Sequence, residues 1–131
     1  MRTIEQILRE SKTIAVVGLS SDPMRPSYGI ARALQSYGYK IVPVNPKESE
    51  VLGEKAYASL AEIPIPVDLV NVFRRPEQTP TVAREAVAIG ASALWLQSGI
   101  ENEEAEAIAV AAGLDYVSDL CIMVEHRKLG L

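Results

Sequence analysis

The sequence predicts an α/β fold of three layers, with a mainly parallel sheet of about five strands in the middle. Three observations carry that expectation. Strand-like and helix-like segments alternate along the whole chain. The strand-like segments at 13–17 and 67–73 are apolar almost throughout, the pattern of strands covered on both faces. Glycine, proline or asparagine stands where most of these segments end, as turn chemistry requires. Parallel strands joined by helices take right-handed crossovers, and ligands of such sheets lie outside the carboxyl ends of the strands, near the switch in strand order.

A chain of 131 residues, 48% of them hydrophobic, is expected to form one domain over residues 1–131 with a real core. The net charge of −4 argues against general nucleic-acid binding, which needs a basic field. The one cysteine, Cys121, excludes an internal disulfide and a cysteine-based zinc site, and the one histidine, His126, weakens a His-rich metal site. Residues 1–10 are polar and of mixed charge, unlike a secretory signal. No apolar run approaches the ~20 residues needed to cross a membrane. The expectation is a cytoplasmic protein with no membrane and no nucleic-acid partner.

Taken in order, residues 3–10 read as a short helix, with Thr3 as cap, Gln6 closing a capping box, and Ile4, Ile7 and Leu8 as its apolar stripe. Residues 13–18 are the first strand. The loop from Gly18 to Gly29 leads into a helix that Ser27 is expected to cap and Gly38 to end, with Ile30, Ala33, Leu34 and Tyr37 facing inward. Residues 39–44 are the second strand, in which Pro43 must sit where no ladder N–H is needed. After the turn Asn45-Pro46-Lys47, residues 48–66 read as irregular, with an extended piece near Val51 or Ala56-Tyr57 and a helical turn at 59–63. Residues 67–73 are a strand, followed by Arg74-Arg75-Pro76. Thr79 is expected to cap, and Pro80 to start, a helix that stops at Gly90. Residues 93–97 form a strand in which Trp95 packs, ending in Ser98-Gly99. A helix at 101–112 carries acids in its first turn, where its dipole favours them. A last strand at 114–117 leads through Asp119-Leu120-Cys121 to a polar tail.

The first loop aims backbone N–H groups and a positive helix end at one place, suited to a phosphate. Ser20, Ser21 and Ser27 add hydroxyls and Arg25 adds charge. The loop is neither a Walker A sequence nor GxGxxG. After the second strand, a fold that binds NAD wants an acid for the ribose hydroxyl. Here stand Asn45, Pro46 and Lys47, with no carboxylate before Glu48. A lysine suits a phosphate on the ribose instead, which points to NADP or to another nucleotide so phosphorylated, such as coenzyme A. Arg74 and Arg75 follow a buried strand and can reach the same site, where an arginine holds phosphate bidentately. No catalytic set is evident: His126 reads as exposed in a charged tail and Cys121 as a small apolar group.

The segments Ile14-Ala-Val-Val-Gly-Leu-Ser20, Val44-Asn-Pro46, Val72-Phe-Arg-Arg-Pro76, Leu94-Trp-Leu-Gln-Ser-Gly99 and Asp119-Leu-Cys121 run in order over nearly the whole chain. In them the sequence resembles the stand-alone CoA-binding proteins, which are similar to the N-terminal CoA-binding domain of the succinyl-CoA synthetase α subunit. The resemblance implies a Rossmann-like domain with coenzyme A or a short acyl-CoA at the strand ends. It implies Gly18, Leu19, Ser20, Ser21, Arg25, Ser27 and Tyr28 around the pyrophosphate, and Asn45, Pro46 and Lys47 near the adenosine 3′-phosphate. It implies Phe73, Arg74 and Pro76 along the adenine or pantetheine path, and Gln97, Ser98 and Gly99 toward the pantetheine arm. The synthetase reaction is not expected, because its acyl-phosphate step has no candidate residue. The expectation is a non-catalytic carrier, sensor or accessory module. The alternative is a component of an NADP-dependent oxidoreductase. A weaker possibility is a mixed disulfide between Cys121 and the CoA thiol.

Overall fold

A computed structural model describes all residues from Met1 to Leu131. Helix α1 (Ile4–Glu10) starts on the expected capping box, Thr3 and Gln6 each satisfying a donor of the other. Strand β1 (Thr13–Val17) leads through the first loop to α2 (Pro26–Ser36), and β2 (Lys40–Val44) follows. Next come the short β3 (Glu50–Val51) and β4 (Glu54–Lys55), then β5 (Leu69–Val72), α3 (Thr79–Ala88) and β6 (Ala93–Leu96). The chain closes with α4 (Glu103–Ala111), β7 (Asp115–Val117) and α5 (Ile122–Leu129).

Five of these strands form one parallel sheet in the order β2-β1-β5-β6-β7. Neighbouring side chains of a strand point to opposite faces, and here both faces are apolar. Ile14, Val16, Leu69 and Trp95 pack beneath α1, α2 and α5. Ala15, Val17, Val70, Val72, Leu94 and Leu96 pack beneath α3 and α4. This is why the strands read as unbroken apolar runs. Trp95 is wholly buried and donates its indole N–H to the Leu120 carbonyl at 2.8 Å. Pro43 lies on the edge strand, and its carbonyl accepts from Tyr57 N–H on the open side, so the missing donor is missing from the edge and not from the ladder.

The structure corrects the sequence reading at several places. Ser27 is not the cap of α2. Arg25 holds that position without a side-chain bond, and Pro26 opens the helix. The buried face of α2 runs through Ser27, Ala31 and Leu34, while Tyr37 remains about a third exposed, at 36%. Thr79 does not cap α3 either: a 3-10 turn at Pro76–Gln78 precedes the helix, and the Thr79 hydroxyl donates back to the Pro76 carbonyl at 2.7 Å. The stretch after β2 holds the expected extended pieces, at Val51 and in a bridge of Tyr57 to Val44, and the expected helical turn, at Leu60–Glu62; what the sequence did not show is a hairpin. β3 and β4 pair antiparallel about Leu52 and Gly53, both at positive φ (54° and 77°). The polar tail is the helix α5, whose Ile122 and His126 are buried on one face. The charged residues Glu125, Arg127 and Lys128 hid that face, because a single histidine carries its middle position.

Candidate functional site

The order of the sheet reverses direction at β1: the chain first goes to β2 on one side and then to β5 on the other. The loops after β1 and β5 part there, and the site is built between them. At the floor sits Gly18, at φ +89°. A β-carbon on it would lie 2.2 Å from the Phe73 carbonyl oxygen, so only glycine lets the two strand ends come this close. The Phe73 N–H donates to the Val17 carbonyl, and the Gly18 N–H to the Val44 carbonyl, each at 2.8 Å.

The first loop is tied within itself. Ser20 N–H donates to Ser27 Oγ at 3.1 Å, Asp22 N–H to Ser20 Oγ at 3.0 Å, and Met24 N–H to Asp22 Oδ1 at 2.9 Å. The buried Ser27 is therefore a staple for the loop rather than a cap for the helix. The N–H groups of Leu19 and Ser27 have no acceptor within the chain. Together with the start of α2 they are free donors for an anion.

An open cleft of about 400 Å³ lies against this loop. Gly18, Ser20, Arg25 and Ser27 form one wall, and Phe73, Arg74, Arg75 and Pro76 form the other. Ile100, which sequence reasoning missed, closes one end. Arg25, Arg74 and Arg75 all line this cleft, and none is in a salt bridge, although Arg2, Arg9, Lys40 and Lys128 elsewhere are each paired with a carboxylate. In a chain of net charge −4, three guanidinium groups without a carboxylate partner line this one cleft, while Arg32, Arg84 and Arg127, also in no salt bridge, lie elsewhere.

The remaining residues singled out in the sequence lie around this cleft in different ways. Leu19 is wholly buried and offers only backbone. Tyr28 is half-buried and packs, with Phe73, on the α2 side of the sheet. Ser21 is exposed, and its N–H is held by Glu48. Asn45, Pro46 and Lys47 stand beside the first loop but outside the cleft wall. Gln97 is buried: its Oε1 accepts from Asn71 Nδ2 at 3.2 Å and from Ile122 N–H at 3.0 Å. Ser98 is exposed, and Gly99 N–H donates to Asp119 Oδ1 at 2.7 Å. Asp119 holds its turn at φ 56°, a shaping role that its sequence neighbourhood did not signal.

His126 is not an exposed residue of this site. It is buried and stacks on Tyr37, ring centres 4.2 Å apart, beside the segments that lead into β1 and β2. Burial pushes its imidazole below its ordinary value of 6.5. Cys121 is half-buried just before α5.

The family model for the CoA binding domain matches residues 12–127. This chain belongs to the CoA-binding domain family. The Bacillus subtilis protein YneT is 50% identical to this chain over 123 residues, 94% of this chain and 91% of that one. The α subunit of ADP-forming acetate–CoA ligase II of Pyrococcus furiosus is 51% identical over 60 residues, which are 45% of this chain and 13% of that subunit. The solved structure of a hypothetical protein from Pyrococcus horikoshii OT3 superposes with a TM-score of 0.95 at 39% identity, over 98% of this chain and 90% of that one. The Rossmann-like α/β fold and the family expected from the motifs both hold.

Proposed function

We propose that this chain binds coenzyme A, or a short acyl-CoA, at the carboxyl ends of its sheet, and that it carries, senses or presents the ligand without chemistry of its own. The observation that carries the reading is the gathering of Arg25, Arg74 and Arg75, all without a carboxylate partner, with the free Ser27 N–H in the cleft at the strand-order switch. Guanidinium groups and helix-start N–H groups are the donors a pyrophosphate needs. The wall otherwise consists of glycine, serine, proline and apolar side chains, a composition suited to holding an anion rather than moving protons. Lys47, exposed beside the loop, is placed in this reading at the adenosine 3′-phosphate. The exposed Ser98 lies toward the pantetheine arm.

Membership of the CoA-binding domain family supports the ligand. The P. furiosus relative is a CoA ligase subunit, of which this chain matches only 13%, so the ligase reaction is not carried over. The NADP-dependent alternative gains no support from these relatives. No helix is long and apolar enough to cross a membrane. With coenzyme A as ligand, we assign the chain to the cytoplasm as one CoA-binding domain.

Calorimetry with CoA and dephospho-CoA tests the reading. CoA is expected to bind more tightly, and Lys47→Ala is expected to weaken CoA about tenfold while leaving dephospho-CoA unchanged. Equal affinity for the two ligands removes the role given to Lys47, and no binding of either overturns the proposal.

A further inference from the structure

We propose that Asn45 and Glu48 are positioning residues of the first loop rather than ligand contacts: they hold Leu19–Ser21 in its binding shape before any ligand arrives. The inference deepens the CoA reading and rests on it only for the choice of probe. Asn45 has both ends of its side chain engaged within the protein. Its Nδ2 donates to the Leu19 carbonyl at 3.1 Å, and its Oδ1 accepts from Lys47 N–H at 3.0 Å. Glu48 Oε2 accepts from Ser21 N–H at 2.8 Å. The two bonds flank Ser20, whose own N–H and hydroxyl are committed to Ser27 and Asp22. The turn after β2 thus braces the loop after β1 from behind, while the cleft lies on the other side, lined by Gly18, Ser20 and Ser27 and not by Glu48.

Ser21 N–H sits in a loop whose donors suit an anion, and the chain supplies that anion itself. Glu48 is half-buried, and its carboxylate is paired with no cation. Two opposed effects follow. The hydrogen bond orders the loop in advance, so that ordering is not charged against binding. The negative charge works against an incoming polyanion. A carboxylate that instead accepted a hydroxyl of the ligand would be needed for its charge and both its oxygens. Substitution separates these roles. Glu48→Gln keeps an acceptor for Ser21 and removes the charge, whereas Glu48→Ala removes both.

The test measures CoA affinity and the hydrogen exchange of the Ser21 amide in the free wild-type, Glu48→Gln and Glu48→Ala proteins, with unfolding midpoints to confirm that each is folded. Glu48→Gln is expected to bind CoA between equally and about threefold more tightly than wild type. Glu48→Ala is expected to bind about three- to tenfold more weakly. The Ser21 amide is expected to exchange slowly in wild type and Glu48→Gln, and at least about tenfold faster in Glu48→Ala. Equal weakening in Glu48→Gln and Glu48→Ala overturns the inference, because it makes the carboxylate a ligand contact. Fast exchange of Ser21 in wild type, or the same exchange rate in Glu48→Ala, also overturns it. Failure of all three proteins to bind CoA removes the proposed function, yet the exchange rates still decide the brace by themselves.

Discussion

Gly18 is the residue on which the site turns. Two independent demands meet there: a positive φ, and a neighbouring carbonyl that leaves no room for a β-carbon. Either one costs an alanine, and together they cannot be relieved by a side-chain rotation, because the obstacle is the backbone of Phe73, just after β5. Gly18→Ala is expected to destabilise the fold by at least ~2–3 kcal/mol, read from urea unfolding. By contrast, Gly29→Ala meets nothing within 4 Å and sits in a helix, so it should be neutral or slightly stabilising in the same measurement. If the two substitutions behave alike, the close approach of Phe73 to Gly18 is not what holds the site together. Sequence reading picked out Gly18 because a glycine follows a buried strand. The reason for it lies on a strand distant in sequence, and no local pattern carries that information.

At the scale of the element, α5 is the part that the sequence concealed. Its inward face is Ile122, His126 and the half-buried Leu129, and the middle position is a residue read as polar. Tyr37 stacks on the imidazole and Tyr39 meets it edge-on, so the ring acts as an aromatic packing group. Arg9 and Lys12 line the same pocket, together with Leu131, and Arg127 Nε donates to the Tyr37 hydroxyl. Burial already lowers the imidazole below its ordinary 6.5. The folded state therefore takes up the His126 proton less readily than the unfolded state does. Its contribution to stability is fully present above about pH 6.5 and is lost as pH falls through the lower, folded-state value. Wild-type stability, followed by denaturant midpoints, should decline as pH is lowered from about 6.5 toward 5, and His126→Phe should flatten that decline. An unchanged slope in the variant would assign the pH dependence to other groups.

At the scale of the whole molecule, the balance of charge and the direction of the sheet act together. A parallel sheet sends the loops after β1, β2, β5 and β6 to one end, and the arginines of two of them are left unpaired there. On the proposed function a polyanion binds at that place, so CoA should raise the thermal midpoint. At a free concentration of 100 times Kd the stabilisation is about 2.7 kcal/mol, a rise of several degrees for a chain of this size. The rise should shrink with added salt, because open, exposed charges are screened. Arg74→Ala should reduce the rise, since a charge-assisted bond to phosphate is worth about 1.5–3 kcal/mol. A CoA-induced shift that salt does not alter would count against an electrostatic site.

The layers, the parallel sheet and the end of the sheet where the candidate cleft lies were legible in the chain alone. Apolar runs and their alternation with amphipathic segments are periodic, and periodicity survives in one dimension. The strand-order rule then names the loops without any contact being known. What only tertiary structure decided is which way each residue of those loops faces. Leu19, Ser27 and Gln97 turn inward, Asn45 is engaged by its neighbours, and Arg25, Arg74 and Arg75 are left unpaired on the cleft. A loop has no period from which to read a face, and its side chains are oriented by partners far away in sequence. For the same reason α5 was missed, since a histidine becomes an apolar-face residue only when Tyr37 and Tyr39 are brought against it.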